Sequence, residues 1–169
     1  MFRRVRETGP ALLIPAAWGL VTAAHLGVVT THPVFVMHAV MSALLVAFAA
    51  TSWREMGSGV LRAWRTVILA GTPFAVAGLA GFLVPTGSTA LFSVALGGWM
   101  LFPAAGFVYT ARRVPEGGWI HAASAAGCLL GAALYAVGTT AEVDAGAIAG
   151  LLVVGFAQTA GILDAVLRY

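Results

Sequence analysis

Read as a pattern of hydrophobic and polar positions, the chain breaks into six apolar runs separated by short polar stretches. The runs cover about residues 10–30, 33–51, 66–84, 88–110, 119–138 and 146–167. Each comes close to the roughly 20 residues that a helix needs to cross a hydrocarbon core of about 30 Å. The pattern predicts an all-α fold: one domain over residues 1–169, a polytopic transmembrane bundle of six helices.

The breaks carry turn chemistry. Thr30, Thr31, His32 and Pro33 separate the first two runs, and Pro33 suits a first helical turn, where its missing N–H costs little. Ser52–Arg65 is the longest polar connection, and its second half reads as a short helix on the membrane surface. Trp53 and Trp64 within it suit an interfacial position. Pro85, Thr86 and Gly87 form a tight turn, Ala111–Gly118 a basic loop and Thr139–Ala145 an acidic one. The basic start, MFRRVRET, followed by an apolar run also fits a signal peptide with Ala23-Ala24 as a weak cleavage position. The second apolar run follows at once and needs a hairpin partner, which favours a retained helix.

Composition agrees with a membrane. The chain is 60% hydrophobic and 9% charged, with a mean hydropathy of +0.95, whereas a soluble domain is about 25% charged. So few charges cannot cover a water-facing surface, and the lipid bilayer is the expected partner. The net charge of +3 rests on nine arginines and no lysine. The arginines sit in short clusters between apolar runs, which excludes a nucleic-acid groove and gives a topology signal instead. Counted at the ends of the runs, every arginine falls on one side when the N- and C-termini are cytoplasmic, while Glu142 and Asp144 fall on the other. The expected location is the cell membrane, as a multi-pass protein.

Helices in lipid meet where small residues let backbones approach. Ala123, Gly127 and Gly131 in the fifth run, Gly146, Gly150, Ala157 and Gly161 in the sixth, and Ala77 and Gly81 in the third form such stripes. They predict a tight bundle and leave a homo-oligomer or other membrane subunits as further partners. Pro73 and Pro103 each remove a backbone hydrogen bond inside a helix.

Few residues can carry chemistry. GxSxG, HExxH, phosphate-loop and paired-carboxylate motifs are missing from the sequence, so a stand-alone enzyme is not expected. The lone Cys128 excludes an intrachain disulfide and reads as a small core residue. Asp164 pairs with Arg168 at i+4 near the end of the sixth run. Gln158, the one amide deep in a run, is expected to hydrogen-bond across the bundle. His121 is expected to snorkel to the interface, and His32 to be a solvated turn residue.

His25 and His38 flank the first turn, each about six residues from it, which puts both about 9 Å below the same membrane face. Two imidazoles at one depth on adjacent helices fit the axial ligands of haem b. With Met41 one turn beyond His38, the set His25, His38 and Met41 would suit copper instead. Gly27, Ala39 and Ser42 would make room for the group and Phe92 would wall it. The functional expectation is a redox or respiratory-complex accessory protein. The alternative is a cofactor-free transporter, channel or packing subunit whose histidines bond locally.

Overall fold

The computed structural model describes residues 2–168, with the side chains of residues 2–8 and 10 outside that description. The fold is all-helical: α1 (Phe2–His25), α2 (Thr31–Thr51), α3 (Gly59–Gly81), α4 (Ser88–Ala111), α5 (Gly118–Thr140) and α6 (Asp144–Arg168). Helices α2 to α6 are each long and apolar enough to cross a membrane, and the described apolar part of α1 is Ala11–His25. This points to a multi-pass membrane protein. Six helices that reverse at each short connection bring both chain ends to one face, along with the α2–α3 and α4–α5 connections. Every arginine of the sequence lies at or near these places, so this end is the arginine face.

Two boundaries differ from expectation. Helix α1 ends at His25, not near Thr30, because Gly27 adopts φ +70°. Gly27 N–H donates to Ala24 O and Val28 N–H to Ala23 O, each at 3.0 Å. This pair of bonds is the Schellman stop, and its left-handed residue is glycine because a Cβ there is strained. Helix α3 begins at Gly59 and runs unbroken past Arg65, so the expected surface helix is its first two turns. The residues from Val60 to Ala70 include neither glycine nor proline, so nothing interrupts the hydrogen-bond ladder there.

Around the bundle the helices follow the order α2, α3, α4, α5, α6, α1. The α5–α6 interface is the most extensive, whereas α1 lies along α6 and barely touches α2. Small residues set these distances. At Gly131 an added Cβ would lie 2.7 Å from Gly150 O, and at Gly150 2.6 Å from Gly131 O. Gly127 faces Ala157 in the same way. The stripes expected on the fifth and sixth runs therefore face each other. On α3 the glycines receive rings instead: Trp99 over Gly71, His38 over Gly78 and Phe92 over Gly81. The core is two clusters, Trp18, Met100, Leu151 and Val154 in one and Ala104, Phe107, Ala125 and Cys128 in the other. Both prolines lie within continuous helices.

The backbone approach at α5–α6 has a measurable consequence. Gly150→Ala drives a methyl into Tyr135 N at 2.5 Å, an overpacking that costs about 1–3 kcal/mol. Gly97→Ala, with nothing within 4 Å of the new Cβ, is neutral or gains up to about 1 kcal/mol of helix propensity. Unfolding of the two variants in mixed detergent micelles compares them. Equal stability would remove the close-packed α5–α6 contact.

Candidate functional site

Three polar clusters lie at three depths in the bundle. The first is at the face opposite the arginines. His25 is the last residue of α1 and is exposed there. Its Nδ1–H donates to Val21 O at 2.9 Å. In the neutral ring this leaves Nε2 as acceptor, and the Tyr135 hydroxyl of α5 donates to it at 3.0 Å. His38 sits two turns into α2 and is half-buried. Its Nδ1–H donates to Val34 O at 2.9 Å. Its ring fills the space that Gly78 of α3 leaves open and meets Phe82 edge-on at 5.5 Å. Phe82 in turn packs on Phe35 and Phe92.

The two histidines therefore differ in their neighbours. The early stop of α1 puts His25 at a helix end. Gly27, expected to make room beside the pair, instead ends the helix. His25 turns to α5 and His38 to α3. Phe92 joins the aromatic group around His38 as expected, but not His25. Met41 is half-buried and Ser42 is buried on α2. His32 lies exposed in the first turn of α2, 6.5 Å from the Phe35 ring. Among the described residues, no group of three or more His, Cys, Asp or Glu side chains is placed to hold a metal ion.

The second cluster lies mid-bundle. Pro103 has no N–H, so the Trp99 carbonyl one turn earlier loses its donor within α4. Gln158 of α6 supplies one: its Nε2 donates to Trp99 O at 2.8 Å. The other end of the same amide, Oε1, accepts from Trp18 Nε1 of α1 at 3.0 Å. An indole only donates and a carbonyl only accepts, which fixes the orientation of the amide. Gln158 thus bonds across the bundle as expected, and it joins three helices. Cys128, fully buried, packs in the second core cluster.

The third cluster is at the arginine face. His121 does not snorkel: its exposure is 0%. It stacks on Phe107 of α4 with ring centroids 6.0 Å apart. Its Nε2 lies 3.4 Å from Asp164 Oδ2. The other carboxylate oxygen, Oδ1, accepts from Arg168 Nε at 2.5 Å, the expected i+4 pair. Arg168 also lies 3.8 Å from Glu116 in the α4–α5 connection. Gly117, at φ +69°, lets the chain pass directly over this pair, since a Cβ there would sit 2.8 Å from Asp164 Oδ2. Sequence reasoning missed the His121–Asp164 contact. The signal was available: His121 lies close to the start of the fifth run and Asp164 close to the end of the antiparallel sixth, so both fall near one face.

Comparison with protein-family models, with curated proteins and with solved structures gives no match.

The mid-bundle amide can be tested by a double-mutant cycle. Gln158→Leu strips donors and acceptors from Trp18 and Trp99 together and costs about 1–3 kcal/mol. Pro103→Ala returns an N–H to the Trp99 carbonyl, so Gln158→Leu costs less in that background. Strict additivity of the two in detergent unfolding would show that the freed carbonyl is not what Gln158 serves.

Proposed function

We propose that this chain works in the cell membrane as a cofactor-free helical subunit, a packing or accessory component of a membrane assembly, with both termini in the cytoplasm. The reading rests on the state of His25. Both its ring nitrogens are engaged, Nδ1 by Val21 O and Nε2 by the Tyr135 hydroxyl. The ring offers no free lone pair to a metal while that bond holds, and it ties α1 to α5 instead. The mid-bundle amide is spent in the same way, on contacts between helices. The orientation rests on the arginines, because basic residues beside spans are retained on the cytoplasmic side.

One observation favours a second reading, in which haem b or copper binds between His25 and His38. Both rings donate Nδ1–H to the carbonyl one turn back. A metal-ligating histidine is held in this manner, with Nε2 left as the ligand atom. Helices α1 and α2 also barely touch, which would let them part around a planar group. Binding would require the Tyr135 hydroxyl to leave and the His25 ring to turn.

Absorption spectroscopy and metal analysis of protein purified in mild detergent separate the two. The expected preparation is colourless and free of stoichiometric copper or iron. A Soret band that shifts on reduction, or bound copper, in the wild type and lost in both His25→Ala and His38→Ala overturns the cofactor-free reading. Orientation is tested separately by cysteine substitution at exposed turn positions, with Cys128 buried and silent. An impermeant thiol reagent added to whole cells is expected to label Thr86→Cys and Ala141→Cys but not Ser58→Cys or Pro115→Cys. The reverse pattern would put the arginine face outside.

A further inference from the structure

The cluster at the arginine face holds a group that no contact between helices uses up. His121 is fully buried, and neither of its ring nitrogens has a partner in hydrogen-bond geometry. Asp164 Oδ2, the atom nearest to Nε2, is also buried and has no hydrogen bond. A buried imidazole and carboxylate oxygen 3.4 Å apart are costly in an apolar interior unless a proton joins them. We propose that His121 and Asp164 form a proton-binding site, filled from the arginine face, whose occupancy controls how firmly α5 is held against α4 and α6.

The surrounding charges support this. Helix α6 brings Asp164 and Arg168 to the ring, the α4–α5 connection brings Glu116 through Arg168, and α4 brings Phe107, which does not titrate. A proton on His121 puts a positive charge beside the Asp164 carboxylate. The neutral ring carries its proton on Nε2, 3.4 Å from Asp164 Oδ2, the incoming proton goes to Nδ1, and the ring becomes an imidazolium beside the carboxylate. An imidazolium over the Phe107 ring gains a cation–π contact that the neutral ring lacks.

The route is also laid out. Side-chain exposure falls from 81% at Glu116 to 42% at Arg168, then to 7% at Asp164 and 0% at His121. Each step inward is a polar contact, so Asp164 is the last group that water approaches before the ring. No other histidine has a carboxylate partner among the described residues, and His25, His32 and His38 lie on or near the opposite face. The sense of the coupling follows from the pair: filling the site adds an ion pair between α5 and α6, so it tightens the bundle, and emptying it loosens the bundle at this face.

The test is nitrogen NMR of full-length protein carrying 15N-labelled histidine in lipid nanodiscs, titrated over about pH 5–8. With only four histidines, His121→Gln assigns the signal. The expected result is an Nε2–H tautomer at the alkaline end and proton uptake at Nδ1 on acidification. Asp164→Asn is expected to move that uptake at least about tenfold in proton concentration toward acid, because the partner charge is gone. Glu116→Gln, on an exposed side chain, is expected to move it in the same direction by less. A wild-type ring that holds one protonation state throughout overturns the proposal. So does an uptake that neither substitution moves, which would make Asp164 a packing neighbour only. If Asp164→Asn does not fold, an unmoved Glu116→Gln titration is enough to reject the site.

Discussion

The constraint on which the interior depends is one backbone carbonyl in a place without water. Pro103 cannot donate, so α4 leaves the Trp99 oxygen open in mid-bundle. In hydrocarbon an open carbonyl must find a donor inside the protein. Gln158 gives it, and the amide that turns its Nε2 toward α4 necessarily presents its oxygen away from it, where the Trp18 indole arrives. One missing N–H on α4 thereby selects a polar residue on α6 and a tryptophan on α1. The Trp99 ring, seated over Gly71, ties the same segment to α3.

From this follows the position of α1. A helix that is first in sequence is expected to pair with the second, to which a five-residue turn connects it. Trp18 draws it to α6 instead, and Tyr135 holds its far end against α5. Helix α2 is left attached mainly to α3, with only Ser42 and Ala49 buried. Helix α6 is the hub: its glycines meet α5 backbone to backbone, its amide spans to α1 and α4, and its Asp164 reaches the α5 histidine. Small residues make the close approach possible, and polar groups fix which helices approach. Neither would suffice in lipid, where burial of apolar surface gives no preference among neighbours.

The number of helices, their order and most of their ends were legible, because a run of about 20 apolar residues between polar breaks admits few other structures in a membrane. The small stripes of α5 and α6 were legible too, as was Gln158 as a cross-bundle residue. What failed was local. Gly27 was read as spacing for a ligand, when its place just past the last regular turn marks a stop. With α1 running to about Thr30, a depth count puts His25 level with His38, about 9 Å in; the helix ends at His25 itself. The same depth count, applied at the other face, would have put His121 beside Asp164. Asp164 also has a partner nearer in sequence, Arg168 at i+4. A carboxylate has two oxygens, and the i+4 arginine uses only Oδ1.

The depth of each polar group matches its charge. Mid-bundle, where a charge is most expensive, the structure uses an uncharged amide, an indole and a backbone carbonyl. The ionisable carboxylate and its histidine lie within a few turns of the arginine face, where Arg168 and Glu116 can bring counter-charge from the water side. At the opposite face, His25 and Tyr135 meet as two groups that can pair while neutral. So the bundle keeps its only buried carboxylate, among the described residues, at the end where cations are concentrated. The two ends of the protein therefore differ in kind: one buries a carboxylate beside a histidine, and the other joins its helices through an imidazole and a phenol.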